Sequence, residues 1–290
     1  MDVGKWLPGL RLAGHEKAVN TVSFSRASRE STLLATGSDD STAIVWDLQA
    51  DGEVVAQLRG HSDAVRSVHF CTDGGVLATG SVDKTVALWH TGTGKHLHTL
   101  EGHSDAVMSC RFAPRSTQLA SGSCDRTIRL SDSSTGQAVS TLRSHTDSVY
   151  SVCFSNNGAL LASCGFDATV LLWDARRGST DGIKPIGTLK QHGRAASCVH
   201  FSADDSQLAS SSWDHTIMIW DVRTQKMLDL LAPHHNIITS VRRLPHVQDH
   251  DALPDALPPA LSLARLRLPH VQDHDALPDA LSPRPLARST

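Results

Sequence analysis

Five times along the 290-residue chain a histidine is followed 18 to 21 residues later by Ser or Thr, and four residues after that by Asp. The sets are His15, Thr36 and Asp40; His61, Thr79 and Asp83; His103, Ser121 and Asp125; His145, Ser163 and Asp167; and His192, Ser210 and Asp214. These residue types could do hydrolytic chemistry, with a hydroxyl as nucleophile, an imidazole as base and a carboxylate to orient it. A catalytic centre needs one such constellation. Five copies at near-even spacing instead read as a framework part in which buried polar groups satisfy one another.

The elements that must position these sets form a repeat. Gly14-His15 returns as Gly60-His61, Gly102-His103, Ser144-His145, Gln191-His192 and Pro233-His234, at spacings of 46, 42, 42, 47 and 42 residues between histidines. An apolar residue stands four after each His: Val19, Val65, Val107, Val149, Ala196 and Ile238. A Phe stands nine after the first five: Phe24, Phe70, Phe112, Phe154 and Phe201. Then come the runs LATGSDDSTAIVWD, LATGSVDKTVALWH, LASGSCDRTIRLSD, LASCGFDATVLLWD and LASSSWDHTIMIWD. They place Trp46, Trp89, Trp173 and Trp220 at a common position, with Ser131 in the third copy. Short alternating runs punctuated by turns predict an all-β array of about four strands per unit. One such unit cannot bury both faces of its small sheet, so neighbours must stack.

Over about residues 5–241 these motifs resemble the WD-repeat (WD40) family of β-propellers. The expected architecture is a propeller with five complete repeats, starting near 14, 60, 102, 144 and 191, and a truncated sixth from 233. The propeller is placed at residues 5–243 and a Pro/Leu/Ala-rich tail at 244–290. The resemblance implies a strand order d-a-b-c per repeat, each blade being completed by the first strand of the next repeat. It also implies that His, Ser/Thr, Asp and Trp form a structural relay tying the outer loop to two strands. The third blade, with Ser131 for Trp, is expected to be the weakest.

The sixth unit stops after Ile238 and Val241, because Arg243 stands where the earlier units have Phe. Residues 244–290 hold 8 of the 12 prolines, no glycine and no aromatic, and LPHVQDHDALPDAL occurs at 244–257 and again at 268–281. Such sequence cannot continue a sheet and is expected to be disordered or broken into helical turns. The ring then closes irregularly with five blades, is completed by another chain, or belongs to a truncated isoform or mispredicted frame; the abrupt change of composition favours the last.

Composition removes several function classes. A net charge of -3 and a pI near 6.6 leave no basic excess for phosphate contacts, which disfavours nucleic acid. No apolar run reaches the roughly 18 residues of a membrane helix, and the N-terminus lacks a signal-peptide core. The six cysteines form no CxxC pair and read as small core residues in a reducing compartment, so the chain is expected inside the cell, cytoplasmic or nuclear. No cofactor or metal is expected: Thr91-Gly92-Thr93-Gly94-Lys95 lacks the spacing of a phosphate loop and aligns with a hairpin turn, and His246–His250 sits in the tail.

Two surfaces are candidates for binding other proteins or peptides. Nine of the 13 aromatics fill framework positions, leaving Trp6, Tyr150, Phe166 and Trp213. By the resemblance, Tyr150, Phe166 and Trp213 open onto the top face around the central channel, together with Arg66 and Met108. Aromatics, Met and Arg are the types enriched at interface hot spots. The competing reading lets Phe166 and Trp213 fold sideways between blades. Repeats four and five also end in W-D-x-R, with Arg176 and Arg223. Each reads first as an ordinary basic residue after the third strand. The alternative function is a substrate receptor that docks on the adaptor of a cullin-4 type ubiquitin ligase through these arginines. The leading function is a non-catalytic scaffold for protein–protein interaction.

Overall fold

In the computed structural model, residues 10–25, 32–176, 183–232 and 236–240 are described, and they contain strand, turn and no helix. The first sheet consists of β1 (Val19–Phe24), β2 (Leu33–Ser38), β3 (Thr42–Asp47) and β4 (Glu53–Arg59). The second has β5 (Val65–Phe70), β6 (Val76–Ser81), β7 (Val86–His90) and β8 (His96–Leu100), and the third β9 (Val107–Phe112), β10 (Gln118–Ser123), β11 (Thr127–Asp132) and β12 (Ala138–Arg143). The fourth has β13 (Val149–Phe154), β14 (Leu160–Gly165), β15 (Val170–Asp174) and β16 (Gly187–Leu189); the fifth has β17 (Ala196–Phe201), β18 (Gln207–Ser212), β19 (Ile217–Asp221) and β20 (Met227–Leu231). Each is an antiparallel meander in chain order, so the fourth strand of each of the first four blades precedes the histidine of the next unit.

The innermost strands pack in succession, β1 on β5, β5 on β9, β9 on β13 and β13 on β17. Four apolar clusters fill the four junctions. The one between the first two blades joins Ala35, Val45 and Leu58 to Val65, Phe70 and Trp89; the others repeat it blade by blade. At three junctions a valine knob meets a glycine of the preceding blade. A Cβ at Gly37 would stand 2.6 Å from Val65 Cγ1, at Gly80 2.9 Å from Val107 Cγ1, and at Gly122 2.8 Å from Val149 Cγ1. At the fourth junction both partners change size together: Cys164 takes the glycine's place, Ala196 takes the valine's, and both are fully buried in one cluster. Interiors packed at crystal density require this kind of compensation.

The two ends of the array differ from its middle. Val65, Val107, Val149 and Ala196 are all 0% exposed, whereas Val19 is 53% exposed. Phe24, expected as a core residue like its four counterparts, is 48% exposed, against 5% for Phe70. At the other end Ala209, Ile217, Ile219 and Leu231 are only half-buried, although their fourth-blade equivalents Ala162, Val170, Leu172 and Leu189 are buried. A fifth cluster, Leu34, Ile44 and Trp46 with Leu12 and Leu48, is built from the first blade and the segment leading into it.

Of the sixth unit, residues 236–240 carry no strand, and Ser197 Oγ donates to the Ile238 carbonyl at 2.5 Å. His234, Val241, Trp6 and the tail lie outside the described residues. Residues 10–12, just before the first Gly-His pair, carry no strand. Cys110, Cys153 and Cys164 are buried free thiols; Cys71, Cys124 and Cys198 are only half-buried, which corrects their reading as core residues.

Candidate functional site

The five His–Ser/Thr–Asp sets are hydrogen-bonded in space. His15 Nδ1 lies 2.9 Å from Asp40 Oδ2 and Nε2 lies 2.8 Å from Thr36 Oγ1. The corresponding distances are 2.8 and 2.7 Å at His61, Asp83 and Thr79, and 2.8 and 2.8 Å at His103, Asp125 and Ser121. They are 2.8 and 2.8 Å at His145, Asp167 and Ser163, and 3.0 and 2.8 Å at His192, Asp214 and Ser210. Trp46 Nε1–H donates to Thr36 at 2.9 Å, Trp89 to Thr79 at 2.8 Å, Trp173 to Ser163 at 2.9 Å and Trp220 to Ser210 at 2.8 Å. That order of donors sets the tautomer: indole to hydroxyl, hydroxyl to Nε2, and Nδ1–H to carboxylate. The hydroxyl of each set is buried, so a substrate carbonyl has no path to it.

The sequence reading left out one member. Thr42, Thr85, Thr127, Thr169 and Thr216 each donate to the second oxygen of the same Asp at 2.6–2.8 Å. Its signal was the Asp-x-Thr spacing already present in all five runs. The backbone N–H after each His also donates to the carboxylate. Burial favours the neutral acid, but these hydrogen bonds prevail and hold Asp167 and Asp214 down at about 2. Asp40, Asp83 and Asp125 are lowered by the same balance. Burial also lowers His192, against the pull of Asp214.

In the third blade the place of the missing indole is taken from two residues upstream. The ring ends of Trp46 and Trp89 cover Gly14 and Gly60, and at Gly102 the Arg129 guanidinium covers the glycine instead. Arg129 Nη2 donates to the Gly102 carbonyl at 2.5 Å, while its buried Nε has no partner.

The rim beside these relays is built by one device used five times. Each first strand carries a β-bulge against the second, between Val19 and Thr21, Val65 and Ser67, Val107 and Ser109, Val149 and Ser151, and Ala196 and Cys198. The bulged residues are Asn20, Arg66, Met108, Tyr150 and Ser197. A bulge leaves its residue out of the ladder and re-aims its side chain. The residue before each relay Asp is drawn to the same rim. The N–H groups of Asp39, Val82, Cys124, Phe166 and Trp213 donate to the carbonyls of Ala18, Ala64, Ala106, Ser148 and Ala195.

On this rim Tyr150, Phe166 and Trp213 form one aromatic group across the fourth and fifth blades. Ring centroids are 6.0 Å apart for Tyr150 and Phe166, 5.8 Å for Tyr150 and Trp213, and 5.7 Å for Phe166 and Trp213. Phe166 stands edge-on to both and is 42% exposed; Tyr150 and Trp213 are half-buried. Phe166 follows Gly165, where a Cβ would stand 2.2 Å from the Ser148 carbonyl oxygen, so only glycine permits this close approach. Burial, with the charges of Cys124 and Asp147, pushes the Tyr150 phenol up to about 12. Arg66 faces the first blade instead, bonded to Asn20 Oδ1 at 3.0 Å and paired with Asp39 at 3.5 Å. Met108 is half-buried on β9.

The two arginines lie beyond the opposite ends of their third strands. Arg176 Nε bonds Asp174 Oδ1 at 3.2 Å, and its side chain remains 71% exposed. Arg223 is exposed in the β19–β20 turn, beside Asp221.

Blades of this construction, each locked by the same relay, define a WD-repeat protein. The family model described as "WD domain, G-beta repeat" matches residues 6–47, 52–90, 94–132, 136–174 and 183–221, more than half of the chain. The chain belongs to this family. It is 32% identical to a chromatin assembly factor 1 subunit of Mus musculus over 106 residues, 30% of this chain and 18% of the relative. It is 36% identical over 86 residues to a eukaryotic translation initiation factor 3 subunit of Debaryomyces hansenii, 30% of this chain and 24% of the relative. It is also 36% identical over 107 residues to the probable cytosolic iron-sulfur protein assembly protein 1 of Vanderwaltozyma polyspora, 31% of this chain and 30% of the relative. The chain therefore spans less than a third of the length of each of these relatives. Among the described residues no helix is long and apolar enough to cross a membrane.

Proposed function

We propose that this protein is a non-catalytic intracellular scaffold that binds protein or peptide partners through the rim carrying the five bulges, with Tyr150, Phe166 and Trp213 as the anchor. The single observation that carries this reading is the contiguous three-ring group, whose Phe166 is 42% exposed. Large rings held by a rigid sheet give contact area at low entropic cost, and such anchors dominate interface energies. Arg66 and Met108 extend the same rim over the second and third blades. The buried, fully engaged relay hydroxyls favour the scaffold over a hydrolase. The relatives' names, a chromatin assembly subunit, an initiation factor subunit and an assembly protein, fit service within larger assemblies.

The test is Phe166→Ala with Trp213→Ala in the full chain, followed by recovery of partners from cell extract and a check of the melting temperature. Loss of partners at unchanged folding is expected, at about 2 kcal/mol or more per anchor. Retention of every partner by a folded double variant would sink the reading.

The ligase-receptor reading has one observation in its favour. Arg176 and Arg223 occupy the same place on adjacent blades, at the end away from the aromatic rim, and both are exposed. Two such guanidinium groups suit charge-assisted bonds to an adaptor. Recovery of a ligase adaptor by the native chain and not by Arg176→Ala/Arg223→Ala is its expected signature.

A further inference from the structure

The second blade leaves open a space that the other four fill. Ile44, Ala87, Arg129, Leu171 and Met218 hold one position, each paired in register with the relay residue Thr36, Thr79, Ser121, Ser163 or Ser210. Ile44, Leu171 and Met218 are buried there in one cluster with the blade's Trp, and Arg129 lies on Gly102. At Gly14 a Cβ would meet Ile44 as well as Trp46, at 3.1 and 2.8 Å; at Gly60 its three nearest atoms all belong to Trp89. Ala87 is too short to reach, and a cavity of about 440 Å³ remains, within the ~300–1,000 Å³ of ligand pockets.

Arg59, Gly60, Ala87, Trp89, His96 and Thr99 border this cavity, together with the second relay. Ala87 and Trp89 give it an apolar floor, and the His96 ring stands edge-on to the indole at 5.0 Å. Both oxygens of Asp83 are taken, Oδ2 by His61 and the Ser62 N–H, and Oδ1 by Thr85. Arg59 is exposed, and among the described residues no hydrogen bond or ion pair engages its side chain. In the other blades the charge two residues before the relay histidine goes with the filler. Glu101 stands there where Arg129 fills the space, and Arg143 and Lys190 where Leu171 and Met218 do. Arg59 puts the second blade with the aliphatic pair.

We infer that the cavity over Ala87 binds a partner peptide, taking one leucine, isoleucine or methionine side chain on its floor and an adjacent carboxylate of that peptide on Arg59. The aliphatic group occupies the space that Leu171 and Met218 fill in their own blades. The guanidinium supplies the charge-assisted bond that orients the peptide. This site shares no residue with the aromatic rim and does not depend on it.

The test is selection of a random heptapeptide display library on the purified full chain. Recovered peptides are then titrated by fluorescence anisotropy against the native chain, Ala87→Leu and Arg59→Glu. The expected peptides carry an aliphatic residue beside Asp or Glu. Ala87→Leu supplies the missing side chain from within, so it should melt at or above the native chain and weaken these peptides roughly tenfold or more. Arg59→Glu, an exposed change, should melt with the native chain and weaken the acidic peptides more than their Asn or Gln versions. Ala87→Leu melting well below the native chain overturns the inference, because the space would then not be vacant. So does recovery of no peptide, or only of peptides that bind the native chain and both variants alike. Peptides displaced by Ala87→Leu that lack an aliphatic residue, or that carry Lys or Arg beside it, overturn it as well.

Discussion

The guanidinium of Arg129 lies directly on Gly102 and bonds its carbonyl at 2.5 Å, in the space that an indole fills over Gly14 and Gly60. The third blade has thus replaced an apolar lid and its N–H bond with a charged lid whose Nε is unsatisfied. The first blade gives the repair, since Ile44 and Trp46 stand where Arg129 and Ser131 do. Arg129→Ile with Ser131→Trp should gain about 1–3 kcal/mol by burying the ring and removing the orphan donor. At ~2–4 °C per kcal/mol for a domain of this size, calorimetry should show a clear rise in melting temperature. Ser131→Trp alone should not, because Arg129 occupies the space.

Within an intact relay, the hydroxyl should matter more than the indole N–H. Replacing Trp89 by β-(3-benzothienyl)alanine keeps the bicyclic ring over Gly60 and loses one hydrogen bond to Thr79, which costs about 1 kcal/mol. Thr79→Ala strands both Trp89 Nε1 and His61 Nε2 in a buried site, a larger loss of about 1–3 kcal/mol. Urea midpoints of the two variants should fall in that order.

The junction size rule makes a prediction with its own rescue. Gly122→Ser places new atoms against Val149 Cγ1 and should cost about 1–3 kcal/mol. Adding Val149→Ala reproduces the Cys164–Ala196 solution and should recover much of the loss. A double-mutant cycle should give a favourable coupling of about 0.5–3 kcal/mol; strict additivity of the two losses would contradict the rule.

Stability should fall with acid in two windows. Burial holds His192 neutral with a lowered pKa, so below about 6.5 the unfolded chain takes up a proton that the folded one refuses. Asp167 and Asp214 sit at about 2 in the fold and at about 3.9 unfolded. Their contribution is complete above about 4 and is lost as pH drops toward about 2. Urea midpoints should be flat between about 7 and 8, decline gently below about 6.5 and steeply below about 4. His192→Asn should be less stable throughout and lose much of the gentler slope.

Residue spacing revealed the relays because strand register converts a fixed separation into a fixed geometry. Asp40, Asp83, Asp125, Asp167 and Asp214 all close onto histidines 22 or 25 residues away. The same logic placed Tyr150, Phe166 and Trp213 together. What spacing did not reveal depends on which faces meet. Arg129 was legible as a residue but not as a lid, because the residue lost was Ser131 and the replacement came from the next position on that face. Phe24 has the same local sequence context as Phe70, yet one is exposed and the other buried, since burial belongs to the neighbouring blade. The bulges left no mark of their own, as no single residue type occupies them.

Those bulges also decide how freely the surface can change. Asn20, Arg66, Met108, Tyr150 and Ser197 each stand outside the strand ladder at an equivalent point. Side-chain identity there is uncoupled from the pairing that holds the sheet together. The rim therefore behaves as five interchangeable letters on a fixed frame: new specificities could be spelled one blade at a time without rewriting the scaffold beneath.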